Sequence, residues 1–354
     1  MIETSVREAF AAEHAGVQLL DAHDPAGMSE YLLAQRLAAP SELPTAVEHA
    51  GEGNMNLTLR VRLRDRSIIV KQGRPWVEKY DQIAAPWERT LIESAFYRAV
   101  EGVPPVAGRM PRLLHLDEHN HVIALEDLGA ASDFTAMYST SHVGERDLRD
   151  LLDWLSSLGV VRVPPDGPGM LANRAMRRLN HEHIFALPLR QQNGLDLDRI
   201  TEGFARAAET LKVDREYVRC VAELGEVYLS DGPGLVHGDY FPGSWLHTAD
   251  GVRIIDPQFC FFGAREFDYG VMLAHCALAR TPVDAAQQIL QAAGQSDMDV
   301  FRVCGFAGTE IMRRLIGVAQ LPLPYGLDEK RRLLETSAGF VLRPERGLAS
   351  WLEA

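Results

Sequence analysis

Apolar and polar residues alternate with a period of two along the first part of the chain. The alternation is clearest in residues 57–63 (LTLRVRL), and after a polar turn at 64–66 an apolar, β-branched run follows in 67–71 (SIIVK). A loop with two glycines, GEGNMN at 51–56, precedes the first run. The pattern predicts a strand, a glycine loop, a second strand, a turn and a third strand that ends in a lysine.

Further along, the spacing of apolar residues becomes helical. Residues 87–100 (WERTLIESAFYRAV) place apolar side chains on one face and predict an amphipathic helix. A buried-type strand is predicted at 121–125, and beyond it helical spacing dominates, as in residues 148–158, 200–211 and 217–229. Strands in the first part and helices in the second predict an α+β protein of two lobes.

The change of pattern places the boundary between the lobes. We predict a small, antiparallel-sheet N-lobe at 1–128 and a larger, mainly helical C-lobe at 129–354, joined by a hinge in LEDLG at 125–129. Where a strand leaves a small lobe, its exposed backbone N–H and C=O groups can bind the edge of an adenine ring. Glu126 and Leu128 are therefore candidate nucleotide contacts.

The segment 235–259 predicts a β-hairpin that carries two carboxylates. Asp239 follows a short apolar strand in His-Gly-Asp, and Asp256 follows the strand at 252–255, so both come out at the same end of the hairpin. Phosphoryl transfer needs one carboxylate to orient or deprotonate the acceptor hydroxyl and another to hold the Mg²⁺ that bridges the nucleotide phosphates. Such hairpins also occur in proteins without catalysis, where His-Gly-Asp is a surface turn.

The glycine loop and the strand lysine fit a nucleotide site. A flexible loop containing Gly51, Gly53 and Asn54 can lay backbone N–H groups over phosphates, and Lys71 can pair with the α- and β-phosphates of ATP. Glu93, on the predicted helix, can fix the lysine by an ion pair. The alternative is that Glu93 is an ordinary solvated glutamate.

Several motifs resemble the aminoglycoside phosphotransferase and choline kinase superfamily, and within it the 5-methylthioribose kinases. GEGNMN is similar to their DGNLN glycine loop, HGDYFPGS to HGDLHTGS, and IIDPQFCFFGAREFDYG to VIDPEFAFYGPxGFDxG. GFAGTEIMRRLIGVAQ is similar to the helix that carries an arginine pair in these kinases. The resemblance covers nearly the whole chain and implies a protein-kinase-like fold, with ATP and Mg²⁺ as cofactors.

The resemblance also implies a role for particular residues. Asp239 is expected to be the catalytic carboxylate, and Asp268 a structural carboxylate that caps its loop. Arg313 and Arg314 are expected near the sugar and the transferring phosphate, although two neighbours on a helix are predicted not to face the same point. Mg²⁺ is expected on oxygen atoms of three residues: Asp256, Ser244 and Gln258.

Two departures from the family pattern concern the metal and the acceptor. Gln258 stands where these kinases have a second metal carboxylate, and Mg²⁺ prefers charged oxygen ligands. We therefore expect weaker metal binding, a single ion, or dependence on Ser244 and water. Tyr-Phe-Pro at 240–242 replaces Leu-His-Thr and is expected to change the wall that faces the acceptor.

Charge and composition limit the classes of partner that we expect the protein to bind. The net charge of −13 argues against a nucleic acid or an anionic membrane, and it is compatible with a cationic acceptor. No apolar run approaches the ~20 residues of a membrane span, and residues 1–17 do not resemble a signal peptide, so we expect a cytoplasmic protein. Four cysteines without C-x-x-C spacing are expected to be reduced and buried. The related kinases form homodimers, which makes a homodimer possible here.

Together these patterns predict an ATP-dependent kinase that phosphorylates a hydroxyl of a small, sugar-like metabolite. The resemblance makes 5-methylthioribose, or another 5-substituted ribose, the leading acceptor. Two alternatives stay open: a phosphotransferase for an aminoglycoside, an amino alcohol or a nucleoside antibiotic, and a pseudokinase that binds nucleotide without transfer. The second alternative is motivated by Gln258.

Overall fold

The structure is a computed structural model that describes residues 6–51 and 55–345. The chain divides into two compact units, residues 1–131 and residues 132–354. The first is built around an antiparallel sheet, and the second is mainly helical.

A five-stranded antiparallel sheet forms the centre of the first unit, with the strand order β1-β2-β3-β7-β6. The described strands of this unit are β1 (Ala46–His49), β2 (Leu57–Arg62), β3 (Ser67–Gln72), β4 (Trp76–Val77), β5 (Tyr80–Ala84), β6 (Leu113–Asp117) and β7 (Val122–Glu126). The alternation in the sequence matches β2, in which Leu57, Leu59 and Val61 are buried. The predicted strand, turn and strand around 64–66 are confirmed.

The helices described beside this sheet are α1 (Val6–Glu13), α2 (Pro25–Ala34), α3 (Arg89–Val100) and α4 (Pro104–Ala107). The helix predicted at 87–100 is α3. The sequence patterns did not identify α2, which packs Met28, Tyr31 and Leu32 into the same core as the apolar residues of β2 and β3. Asp24 caps it by accepting a hydrogen bond from the Gly27 N–H.

Between β3 and α3 the chain forms a small antiparallel hairpin of β4 and β5. All five residues of β5 are exposed, whereas Trp76 of β4 is fully buried. The hairpin has only two residues in one strand, too few for a periodic pattern to appear in the sequence.

Helices dominate the second unit. They are α5 (Met137–Thr140), α6 (Glu145–Leu158), α7 (Arg174–His181), α8 (Phe204–Val213), α9 (Arg215–Leu229), α10 (Glu266–Ala279), α11 (Val283–Gln295), α12 (Val300–Ile316) and α13 (Leu327–Leu342). Its strands are β8 (Ser132–Asp133), β9 (Gly234–Val236), β10 (Trp245–Thr248), β11 (Gly251–Ile254) and β12 (Phe261–Gly263). The helical runs predicted at 148–158, 200–211 and 217–229 correspond to α6, α8 and α9.

Helices α10 and α12 pack closely at the centre of this unit. Every residue of α10 is buried. Gly270 lets the helices approach, because a Cβ at this position would lie 2.6 Å from the Phe306 Cβ. Gly308 does the same on the other side of α12, where a Cβ would lie 2.7 Å from the Ser337 carbonyl oxygen of α13. Helix α12, which carries the two arginines, is therefore held on both sides.

The four cysteines are free thiols. Cys260, Cys276 and Cys304 are buried as predicted, but Cys220 is only half-buried, because α9 exposes one face to solvent. Across residues 6–51 and 55–345, none of the helices is both long enough and apolar enough to cross a membrane.

Candidate active site

A short loop after β9, residues 237–239 (the HGD loop), presents Asp239. Gly238 has a φ of +84°, and a Cβ there would lie 2.2 Å from the Phe259 carbonyl oxygen, so glycine is required. Asp268, at the start of α10, accepts hydrogen bonds from the His237 N–H at 2.6 Å and the Gly238 N–H at 3.0 Å. Burial raises the pKa of Asp268 to about 7, although these two donors oppose the shift. The predicted capping carboxylate is thus in place.

His237 stabilises the loop from its other side. Its Nε2 lies 2.9 Å from the Ile255 carbonyl oxygen, so this nitrogen carries the proton and donates. The Nδ1 faces the Asp239 N–H at 3.4 Å. Both nitrogens are therefore engaged with backbone, which gives His237 a structural role in the loop.

The predicted hairpin is formed by β10 and β11, with Trp245 opposite Ile254. Ser244 directly precedes β10 and Asp256 lies just after β11, so both sit at the same end of the hairpin. The Ser244 hydroxyl donates to the Asp239 carbonyl oxygen at 3.0 Å, which links this end to the HGD loop.

The residues at this end of the hairpin fit a hard cation. Asp256 supplies a carboxylate, and Gln258 and Ser244 supply neutral oxygens. Mg²⁺ is commonly held by one or two carboxylates together with substrate phosphates and water, so the donor set suits it. The Gln258 Nε2 donates to Asp256 Oδ1 at 3.2 Å, so the two residues lie within reach of each other.

Arg313 and Arg314 converge on Asp239. The Arg313 Nη2 lies 3.3 Å and the Arg314 Nη2 3.2 Å from the same oxygen, Asp239 Oδ1. The prediction that these neighbours cannot face one point is wrong. Their Nε atoms bind the two oxygens of one carboxylate, Glu310, which lies three and four residues earlier on α12. Because Glu310 binds both side chains, the two guanidinium groups point in the same direction.

Burial and charge set the protonation of this cluster. Burial raises the pKa of the Asp239 carboxyl, and the charges of Arg314 and Arg313 offset only part of that effect. For Glu310 burial acts in the same direction, but the two arginine charges outweigh it and hold its pKa well below the usual range. Glu310 is therefore ionised at neutral pH.

Glu310 and His275 were missed by the sequence analysis. His275, on α10, places Nε2 at 3.2 Å from Glu310 Oε1 and Nδ1 at 2.7 Å from the Tyr138 hydroxyl. Burial lowers the pKa of His275 to about 4. The available signal for Glu310 was its spacing from the arginines in TEIMRR, whereas nothing in the sequence relates His275 to it.

The residues after Asp239 divide between the core and the site. Tyr240 is fully buried, donates its hydroxyl hydrogen to the Leu151 carbonyl oxygen at 2.9 Å and stacks on Trp154. Of the segment 240–242, which was expected to change the acceptor wall, Tyr240 therefore contributes its ring to the core instead. Phe241 does lie beside the site, with the Arg314 guanidinium 4.6 Å from its ring centre.

In the first unit, Lys71 and Glu93 form the predicted ion pair. The Lys71 Nζ lies 2.8 Å and 3.1 Å from the two Glu93 oxygens, and the side chains are 9% and 0% exposed. Gly51 has a φ of +73° and lies in open space, as a flexible loop needs. Gly53 and Asn54 lie outside the described residues.

The predicted hinge contacts lie at the end of β7. The Glu126 N–H donates to the Arg112 carbonyl oxygen at 2.9 Å, so this donor is used within the first unit and is not available to an adenine ring. Leu128 is half-buried. The neighbouring Asp127 accepts two hydrogen bonds from Arg60, at 2.8 and 2.9 Å, which ties the segment to β2.

Arg89, in the first unit, is a third residue that the sequence analysis missed. It is fully buried, and its guanidinium donates to the Met55 carbonyl oxygen at 2.7 Å and to Asn56 Oδ1 at 2.9 Å, at the end of the glycine loop. It also donates to the Arg74 carbonyl oxygen, just before the β4–β5 hairpin, at 3.0 Å and to the Trp76 carbonyl oxygen of β4 at 3.2 Å. Arg89 therefore joins the end of the glycine loop to this hairpin.

Known proteins resemble this chain over most of its length. The pattern of the phosphotransferase enzyme family matches residues 46–304. The methylthioribose kinase of Geobacillus sp. (strain WCH70) is 25% identical over 365 aligned positions, which cover 89% of this chain and 89% of that protein.

Solved structures share the fold at lower identity. LicA in complex with AMP has a TM-score of 0.52 at 12% identity, covering 94% of this chain and 100% of that chain. Spectinomycin phosphotransferase in complex with ADP and spectinomycin has a TM-score of 0.52 at 13% identity, covering 95% and 99%. The predicted protein-kinase-like fold is thus confirmed. The chain is an ATP-dependent kinase that belongs to the phosphotransferase enzyme family.

Proposed function

We propose that this kinase uses Mg²⁺-ATP to phosphorylate a hydroxyl of a sugar-like metabolite, with 5-methylthioribose as the leading acceptor. The observation that carries the proposal is the convergence of Arg313 and Arg314 on Asp239 Oδ1. It places two fixed positive charges beside the carboxylate that would orient the acceptor hydroxyl. Charge develops on the transferring phosphoryl group at that position, and preorganised cations stabilise it.

Each residue has a defined task in this mechanism. Asp239 accepts a hydrogen bond from the acceptor hydroxyl and takes its proton as the new P–O bond forms. One Asp239 oxygen contacts both arginines, so the other oxygen, Oδ2, is the one assigned to the hydroxyl. Lys71, held by Glu93, binds the nucleotide phosphates.

The metal site belongs to the hairpin. Asp256, Gln258 and Ser244 would hold Mg²⁺, which when bound neutralises charge on the nucleotide phosphates. For this, the Gln258 amide must present its oxygen in place of the nitrogen that now faces Asp256 Oδ1. Rotation of the amide by half a turn exchanges these two atoms at nearly the same position.

Sequence similarity favours a sugar over an antibiotic as the acceptor. The methylthioribose kinases with 25% identity cover most of this chain, whereas spectinomycin phosphotransferase shares only the fold at 13% identity.

The test is ADP release from Mg²⁺-ATP with a panel of acceptors: 5-methylthioribose, ribose, choline and spectinomycin. We expect turnover with 5-methylthioribose that exceeds the acceptor-free rate, and a sugar 1-phosphate detected by phosphorus NMR. Turnover with choline or spectinomycin, and with neither sugar, would show that the acceptor is an amino alcohol or an antibiotic. ATP binding without turnover on any of these acceptors would contradict the proposed acceptor class.

A further inference from the structure

Glu310 lies at the centre of a buried chain of polar groups. Only 1% of its side chain is exposed, and its oxygens accept hydrogen bonds from the Nε atoms of Arg313 and Arg314. Behind it, His275 is 0% exposed and bonds to Glu310 Oε1. The chain of contacts runs from Tyr138 through His275 and Glu310 to the two arginines, and it ends on Asp239.

Helix geometry explains why an anchor is needed. Neighbouring residues on an α-helix point about 100° apart, since a turn takes ~3.6 residues. Arg313 and Arg314 therefore diverge at their Cα atoms and must be bent towards each other to meet at one oxygen. Glu310, one turn earlier, provides this because each of its oxygens binds one Nε. The Nη2 atoms of both arginines then reach Asp239.

His275 in turn fixes Glu310. Because its pKa is lowered to about 4 by burial, His275 is neutral at pH 7 and carries one ring proton. Glu310 is ionised and only accepts, so the proton lies on Nε2 and points at Glu310 Oε1. Nδ1 then accepts from the Tyr138 hydroxyl at 2.7 Å. Each donor in this chain of hydrogen bonds has one acceptor, so only one arrangement of the protons is possible.

We propose that Glu310 is a positioning residue for phosphoryl transfer, acting through the arginine pair, and that His275 and Tyr138 support it. The inference rests on the proposed function, because it assigns Arg313 and Arg314 to the transferring phosphate. Glu310 touches neither nucleotide nor acceptor in this account. Its removal should therefore lower kcat and leave nucleotide binding intact.

The first experiment compares Glu310→Gln with a matched control. Glutamine has the same size, but its NH₂ group must face one of the arginine Nε–H groups, which turns that side chain away. Displacing a catalytic group by about 1 Å can cost ~100-fold, so we expect kcat to fall about 10- to 100-fold, with the ATP Kd measured without acceptor unchanged within about twofold. Glu266→Gln is the control, since Glu266 pairs at 3.0 Å with Arg302 on the same helix α12, away from Asp239.

A double-mutant cycle separates failure of this inference from failure of the proposed function. If Glu310 acts through the arginines, Glu310→Gln should have little further effect in a variant that already carries Arg313→Gln and Arg314→Gln. A full additional loss there would overturn the inference. If the arginine variant itself keeps the parental kcat, the proposed role of the pair fails, independently of Glu310.

Tyr138→Phe keeps the inference testable if Glu310→Gln does not fold. This variant removes one hydroxyl from the chain and retains the buried ring. One neutral hydrogen bond contributes ~0.5–1.5 kcal/mol, so we expect kcat to fall about 2- to 10-fold with an unchanged ATP Kd. An unchanged kcat in this variant, or equal changes in kcat and ATP Kd, would contradict the positioning role.

Discussion

The convergence of the arginine pair predicts that neither arginine can be replaced by lysine without loss of activity. Arg314 makes two charge-assisted hydrogen bonds, from Nε to Glu310 at 2.7 Å and from Nη2 to Asp239 at 3.2 Å. Arg313 makes the corresponding two bonds. A lysine ends in one nitrogen on a flexible stem and cannot span both carboxylates, so each substitution removes at least one of these bonds.

The magnitude follows from the burial of the pair. The side chains of Arg313 and Arg314 are 12% and 7% exposed, so solvent screens these interactions little. A hydrogen bond to a charged group contributes ~1.5–3 kcal/mol, which corresponds to about 10- to 150-fold in rate if it is lost in the transition state. We therefore expect Arg313→Lys and Arg314→Lys each to lower kcat/KM for the acceptor by at least ~10-fold.

The assay is steady-state ADP release at varied acceptor, with the ATP Kd measured separately without acceptor. Arg302→Lys is the control, because Arg302 lies on the same helix and pairs with Glu266, not with Asp239. We expect parental kinetics from the control and an unchanged ATP Kd in all three variants. Parental acceptor kinetics in either Arg313→Lys or Arg314→Lys would refute the argument that both guanidinium groups act on one point.

Three further predictions concern the metal, the nucleotide and pH. Gln258→Glu should lower the Mg²⁺ concentration for half-maximal activity, since it restores a charged oxygen ligand; an unchanged Mg²⁺ titration would contradict this. Glu93→Gln should raise the KM for ATP by about 10-fold and leave the acceptor KM unchanged, because Lys71 loses a charge-assisted partner. The pKa of His275 is about 4 in the folded protein against ~6.5 for an ordinary histidine. Its contribution to the unfolding free energy is therefore complete above pH ~6.5 and is lost as the pH falls towards 4. Between pH 7 and pH 5 the parent should lose about 2 kcal/mol more unfolding free energy than His275→Gln in urea titrations; parallel losses would contradict the lowered pKa.

Elements with a local signal could be predicted from the sequence. The β10–β11 hairpin has a turn signal between two short apolar runs, and β2 and β3 have the period of a sheet with one buried face. Lys71 and Glu93 were paired correctly because each lies on a recognisable strand or helix. Helix α2 also had a signal that was overlooked, a capping aspartate followed by proline at 24–25.

What the sequence could not supply depends on packing between distant segments. The direction of Arg313 and Arg314 is set by Glu310, and Glu310 is held by His275 from α10, 35 residues earlier in the chain. That contact exists because Gly270 lets α10 and α12 approach. Periodicity locates each helix but does not give its rotation against a neighbour. The same limit applies to Tyr240, whose ring is buried against Trp154 although it follows directly after Asp239.

The most direct test of the central claim is 5-methylthioribose-dependent ADP release by the parent and by Asp239→Asn. Asparagine keeps the shape of the side chain but cannot accept the hydroxyl proton, and a positioned base contributes ~10²–10⁴-fold. We expect the parent to release ADP in proportion to sugar phosphate formed. Asp239→Asn should bind ATP with parental affinity and turn over at least ~100-fold more slowly. Turnover of Asp239→Asn within a few-fold of the parent would contradict the assignment of Asp239 and the mechanism built on it.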